Sequence, residues 1–69
     1  MKLRVKYGYE DVMWVEEEMV LDVPDEWTEL DREDMRYELA ERLQEECQIR
    51  DEFIHPEAQV VEWATVPTN

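Results

Sequence analysis

The stretch from Leu30 to Cys47 constrains the fold most, because its apolar residues recur with the period of an α-helix. The stripe consists of Met35, Leu39 and Leu43, with Ala40 and Cys47 beside it. A helix with one apolar face needs a second element on which to bury that face. We therefore expect a helix at residues 32–46 that packs against the rest of the chain.

The start of this helix has the residues that stabilise an N-terminus. Asp31 is the expected N-cap, with Asp34 three residues later in the position of a capping box. Leu30 and Met35 occupy the two positions of a hydrophobic staple. The last turn contains no basic residue, and the one supporting ion pair that we expect joins Glu38 to Arg42.

The face opposite the apolar stripe carries a row of carboxylates. We call Asp34, Glu38, Glu41 and Glu45 the acidic row. Neighbours three or four positions apart on a helix lie about 5–6 Å apart, and like charges there cost a few tenths of a kcal/mol per pair. The helix is therefore expected to be less stable with this row than without it.

Two strands precede the helix. Residues 2–7 alternate basic and apolar side chains, as a half-buried strand does, and Gly8 followed by Tyr9, Glu10 and Asp11 predicts the turn. Residues 12–23 form the second strand, with a bulge expected near residues 16–18. A hairpin centred on Glu10 would pair Arg4 with Glu16, Lys2 with Glu18, Lys6 with Trp14, Val5 with Val15, and Tyr7 with Met13.

The rest of the chain completes a small α+β domain. Trp27 and Leu30 are expected to fold back onto the core, and residues 58–66 read as a third strand. Residues 47–57 fit either a turn of helix or an irregular segment over the core. The prediction is a single domain over residues 1–69, with the order β-β-α-β and a three-stranded antiparallel sheet of strand order 2-1-3 with the helix on one face.

Composition narrows the classes of protein further. A chain of 69 residues buries too little surface for a deep active site, and its one cysteine excludes an internal disulfide and any multi-cysteine zinc site. The charged opening residues do not resemble a signal peptide, and no run of 18 apolar residues occurs. We expect a soluble protein of a reducing compartment, the cytoplasm.

The net charge of −13 is the most unusual property of the chain. Because hydrophobic residues make up 43% of it, the composition is that of a folded protein rather than a disordered acidic tail. The charge repels nucleic acid and anionic membranes and attracts basic surfaces. Three explanations stay open: a surface that favours solubility, a host with high internal salt, and a surface that occupies a nucleic-acid-binding groove.

Candidate catalytic and metal sites are few. His55 and Cys47 could be drawn as a nucleophile pair, but a loop histidine and a small buried thiol explain them better. With 20 Asp and Glu residues, paired carboxylates arise by coincidence, and residues 25–30 lack the glycine of a calcium loop. The sequence therefore predicts no enzyme activity, no metal site and no cofactor.

Aromatic and acidic residues together form the predicted partner-binding set. Most of the aromatic residues, Phe53 among them, are expected in the core, while Tyr9, Trp14 and Tyr37 stay partly exposed. An exposed aromatic ring beside carboxylates is typical of protein interfaces. The residues predicted to bind a partner are Asp34, Glu38, Glu41, Glu45, Glu16, Glu18, Glu29 and Tyr37.

The layout resembles that of a group of small phage proteins. The β-β-α-β order, the opening Met1-Lys2-Leu3-Arg4-Val5 and the acidic passage from Val23 to Asp34 are similar to small acidic phage-encoded early proteins, some of which are anti-CRISPR proteins. The resemblance implies a non-enzymatic inhibitor in the bacterial cytoplasm whose carboxylates imitate nucleic-acid phosphates. The alternative is a small phage or bacterial interaction module that binds through exposed aromatic residues or a sheet edge. The oligomeric state stays open.

Overall fold

A computed structural model describes residues 1–67 and has the predicted α+β architecture. The three-stranded antiparallel sheet has the predicted order β2-β1-β3, and one α-helix packs on one of its faces. The elements are β1 (Lys2–Asp11), β2 (Met13–Asp22), a short 3₁₀ helix (Asp25–Glu29), α1 (Arg32–Ile49) and β3 (Gln59–Thr65).

The core lies between α1 and one face of the sheet. The predicted stripe of the helix and the odd-numbered apolar residues of the first two strands supply most of it. Trp27 and Leu30 pack against this core as predicted. The buried residues are Leu3, Val5, Tyr7, Met19, Leu21, Val23, Met35, Leu39, Leu43, Cys47 and Val60.

The hairpin turn lies at Val12, so the prediction of a turn over residues 8–11, centred on Glu10, was wrong. Gly8 is buried within β1, where the Trp14 ring lies so close that an added Cβ would come within 2.4 Å of the ring. Glycine is therefore needed there for close approach rather than for a turn. Val12 has a φ of 62°, a left-handed conformation that is rare for a β-branched residue.

The register of the hairpin also differs from the prediction. Arg4 pairs with Val20 rather than Glu16, and the whole pairing is displaced in the same way. The predicted register would have set Glu17 opposite Leu3, but the observed one sets Leu21 there. Burying an unpaired carboxylate is costly, so the observed register is the more stable one.

Two further predictions about the sheet were wrong. Pairing of β1 with β2 runs without a bulge, and the irregularity instead separates Lys6 from Tyr7 in the pairing with β3. The cross-strand pairs of Lys2 with Glu18 and of Arg4 with Glu16, which the predicted register would have formed, do not occur in the observed register.

Helix α1 begins as predicted and ends later. The Asp31 carboxylate accepts a hydrogen bond from the Asp34 N–H at 2.8 Å, which confirms the N-cap. The helix continues to Ile49 instead of stopping at residue 46, because nothing at residues 47–49 breaks it. Asp51, with a φ of 55°, follows its end.

The segment after the helix is irregular, which was one of the two predicted alternatives. Ile54 packs against the core, but the prediction of a core position for Phe53 was wrong, since its side chain is 84% exposed. The Tyr9 ring stacks on the His55 ring at 4.8 Å and holds this segment against the hairpin. Within residues 1–67, no helix has the length and apolar character needed to cross a membrane.

Candidate partner-binding surface

The acidic row lies on the outer face of α1, as its spacing predicted. Burial of the apolar stripe turns the opposite side of the helix to solvent, where Asp34, Glu41 and Glu45 are exposed and Glu38 is half-buried. The row extends over about 16 Å at 1.5 Å per residue. The geometry is thus a line of carboxylates spaced about one helical turn apart.

The charge of the acidic row is not cancelled by ion pairs within residues 1–67. The predicted pair of Glu38 with Arg42 does not form, because Arg42 contacts Glu46 at 3.0 Å. Arg50 contacts the same Glu46 carboxylate at 2.9 Å and supplies the basic group that the last turn lacks. Both arginines therefore neutralise the flank of the helix and leave its outer face anionic.

Tyr37 lies beside the acidic row. Its side chain is 64% exposed, and the neighbouring Glu41 carboxylate raises the pKa of the phenol above its ordinary value. The hydroxyl thus stays neutral and serves as a hydrogen-bond donor. An exposed ring next to a line of carboxylates offers both apolar area and charge to a partner.

Glu29 lies at the N-terminal end of α1 rather than in the acidic row. It is the last residue of the 3₁₀ helix, which ends three residues before α1 begins, and its side chain is exposed. Glu29 therefore adds an exposed carboxylate shortly before the start of α1.

Glu16 and Glu18 lie on a different surface from the acidic row. They belong to the even-numbered side of β2, which faces away from α1, so the predicted set does not form one site. On this open sheet face Glu16 accepts a hydrogen bond from the Trp14 indole at 2.9 Å. The set is divided because the sheet itself separates its two parts.

The open sheet face carries charges of both signs. Its central strand contributes Lys2, Arg4 and Lys6, which makes this face much less anionic than the outer face of α1. Lys6 contacts Glu62 of β3 at 3.1 Å, and this hydrogen bond raises the pKa of the lysine. The open sheet face is therefore mixed in charge, whereas the acidic row on the outer face of α1 consists of carboxylates alone.

The sequence-based set missed Glu17, which faces the helix side of the sheet. It pairs across the strands with Tyr7, whose pKa is raised to about 12 by burial first and by the nearby charge of Glu17 next. The signal was present in the alternation of β2, where Glu17 shares its phase with Met19. The Glu17 side chain is exposed because it lies nearer the hairpin tip than the core.

The hairpin tip is a second feature, which the sequence revealed only in part, since the exposure of Trp14 was predicted and that of Val12 and Met13 was not. Val12, Met13 and Trp14 are exposed there, and Val12 is completely so. Their place in an apolar run had suggested an ordinary strand. Three consecutive exposed apolar side chains at a turn are unusual and are characteristic of a contact site.

The two residues that could be drawn as a nucleophile pair, Cys47 and His55, each make packing contacts. Burial raises the pKa of the Cys47 thiol, so it is a weak nucleophile. The His55 ring stacks on Tyr9, and its Nδ1 accepts a hydrogen bond from the Glu57 N–H at 3.1 Å. No group of three or more His, Cys, Asp or Glu side chains within residues 1–67 is arranged to hold a metal ion.

Comparisons with protein-family models, curated proteins and solved structures found no match to this chain.

Proposed function

We propose that this protein is a non-enzymatic inhibitor that occupies a basic nucleic-acid-binding groove on another protein. The observation that carries the proposal is the acidic row, whose four carboxylates have no ion pair within residues 1–67. A nucleic-acid groove presents Lys and Arg side chains to a line of phosphates, and the acidic row offers anions in a comparable line. CRISPR effector complexes in the bacterial cytoplasm are partners of this kind.

The high net charge would serve such a role in two ways. A charge of −13 steers the protein rapidly toward a basic surface and repels nucleic acid itself. Binding of this kind weakens as salt screens the charges, and it needs no cofactor. The protein then competes with nucleic acid because both occupy the same groove.

The test is affinity capture from a bacterial lysate at low and high salt. A variant carrying Glu38→Lys, Glu41→Lys and Glu45→Lys is expected to lose the captured protein, and added duplex DNA is expected to release it from the unchanged chain. The matched control reverses three exposed carboxylates away from the acidic row, Glu10, Glu26 and Glu57. Because both variants change the net charge equally, only the position of the charge differs.

Capture of the same protein by both reversal variants would contradict the proposal. That result would favour the alternative, a small interaction module whose acidity serves solubility. The exposed Val12, Met13 and Trp14 at the hairpin tip support this alternative. Loss of capture on replacing Met13 and Trp14 with serine, with the acidic row intact, would support it directly.

A further inference from the structure

Strand β2 forms one edge of the sheet. It pairs with β1 on one side, and no strand within residues 1–67 lies on its other side. Val23 and Met1 exchange backbone hydrogen bonds at 2.9 and 3.0 Å, and the pairing of β1 with β2 continues from there without a bulge. Because backbone groups alternate in direction along a strand, the even-numbered residues of β2 direct their N–H and C=O groups outward. Such a row of groups can bind another strand.

Residues 13–18 form the half of this edge that lies nearer the hairpin tip, and we call them the outer edge. Beside the other half, the side chains of Arg42 and Arg50 line a cavity together with two residues of β2. The largest side chain of the outer edge is Trp14, and its ring lies against Gly8 of β1. The ring therefore covers the neighbouring strand and leaves the outer edge free.

Carboxylates dominate the charge of the outer edge. On the open sheet face it carries Glu16 and Glu18, and neither forms an ion pair within residues 1–67. Lys6 lies opposite Glu18 on β1, but its ammonium group contacts Glu62 of β3 at 3.1 Å. Arg50 at the end of α1 contacts a carboxylate of its own helix at 2.9 Å. A basic segment along this edge would therefore meet carboxylates that no cation of the described chain holds.

The helix-facing side of the outer edge is mainly apolar. Met13 is 69% exposed and Val15 is half-buried, and both lie on the odd-numbered side of β2, with the exposed Glu17 beyond them. The two sides of the outer edge thus differ in character. A strand that pairs here directs alternate side chains toward carboxylates on one side and toward apolar residues on the other.

We propose that the outer edge binds an extended segment of a partner protein in which lysine alternates with apolar residues, and that this segment adds a fourth strand antiparallel to β2. Its lysine side chains lie on the open sheet face opposite Glu16 and Glu18, and its apolar side chains lie opposite Met13 and Val15. In this mode of peptide binding, backbone hydrogen bonds give affinity and alternate side chains give selectivity. The inference goes beyond the proposed function, because it uses β2 and not the acidic row.

The same carboxylates oppose a second copy of this chain as the occupant. Pairing of two outer edges would bring the glutamates of both copies together, and like charges on neighbouring strands destabilise a sheet. The net charge of −13 on each copy adds to this repulsion. A segment that contains lysine meets opposite charges at these positions, and each cross-strand pair of opposite charges stabilises the sheet.

The test uses a synthetic peptide of about seven residues in which lysine and valine alternate. Its binding to the ¹⁵N-labelled protein is followed by NMR, and the expected shifts fall on the amides of residues 13–18 and on the Trp14 indole. In the antiparallel arrangement the backbone N–H groups of the lysines point to β2, and those of the valines point away. A peptide N-methylated at its lysine backbone nitrogens is therefore expected to bind at least tenfold more weakly. One N-methylated at its valine nitrogens, with the same charge, is expected to bind as well as the unmodified peptide.

Protein variants separate this inference from the proposed function. The double variant Glu16→Gln and Glu18→Gln is expected to weaken peptide binding at least threefold at low salt. Its matched control, Glu26→Gln with Glu57→Gln, removes two exposed carboxylates outside β2 and is expected to change binding less than the first variant does. Reversal of the acidic row is expected to leave the shifts on residues 13–18, so failure of the proposed function would not remove them.

Several results would overturn the inference. These are equal binding of the two N-methylated peptides, shifts confined to α1 or to β3, and no binding at about 1 mM peptide. Equal weakening by the two double variants would show that net charge, and not the outer edge, attracts the peptide. A dimer formed through β2 would show that a second copy is the occupant.

Discussion

The acidic row is expected to destabilise the protein, and replacing part of it should therefore increase stability. Three neighbouring pairs make up the row, from Asp34 to Glu38, from Glu38 to Glu41 and from Glu41 to Glu45. The double variant Glu38→Gln and Glu41→Gln removes all three repulsions. Gln and Glu have similar helix propensities, so the change in charge dominates the result.

The expected gain follows from the spacing of these side chains. Each like-charge pair costs about 0.2–0.5 kcal/mol, so removal of three pairs should raise the free energy of unfolding by about 0.6–1.5 kcal/mol. For a chain of 69 residues this corresponds to a rise in Tm of about 4–10 °C. Urea and thermal unfolding followed by circular dichroism measure both quantities.

A matched variant on the same helix should change stability in the opposite direction. Glu46 is 16% exposed and accepts contacts from Arg42 and Arg50, so Glu46→Gln is expected to lose about 1 kcal/mol. The gain of the double variant should also shrink in 1 M salt, where the Debye length of about 3 Å is shorter than the pair spacing. A double variant no more stable than the unchanged protein at low salt would refute the reasoning.

Three further predictions concern the hairpin and the core. Val12→Asn should raise the free energy of unfolding by about 1 kcal/mol in urea, since Asn tolerates the left-handed conformation and Val12 buries nothing. A destabilised Val12→Asn would show that the turn is unstrained. Gly8→Ala should lower the free energy of unfolding by about 1–3 kcal/mol and shift tryptophan fluorescence, because the new methyl group displaces the Trp14 ring; an unchanged spectrum would contradict this contact. Stability should fall between pH 10 and about pH 12, because the unfolded chain loses the Tyr7 proton before the folded chain does, and Tyr7→Phe should flatten that fall in urea titrations at pH 9 and 11. An equally steep fall in Tyr7→Phe would assign the effect to another group.

The spacing of apolar residues in the sequence predicted much of the fold. The helical spacing of Met35, Leu39 and Leu43 placed the buried face of α1, and the Asp31 side chain marked its start. Alternation in β1 and β2 assigned side chains to the correct faces. These features were predictable because the backbone repeat of an isolated element determines which side chains share a face.

The register of the hairpin required the tertiary structure. Displacing Arg4 from Glu16 to Val20 leaves every side chain on the same face, so alternation cannot distinguish the two registers. The choice depends on which residues meet in the core, where Leu21 replaces Glu17 opposite Leu3. Which residues meet in the core depends on the position of α1 over the sheet.

For the candidate site too, some features followed from the sequence and others only from the tertiary structure. The sequence by itself determined the acidic row, because four carboxylates at helical spacing must share one face of α1. Only the tertiary structure decided that Glu16 and Glu18 lie across the sheet from this row, and that Arg42 binds Glu46 and not Glu38. The physical reason is that a local repeat orients side chains within one element, whereas contacts between elements depend on how their buried faces fit together.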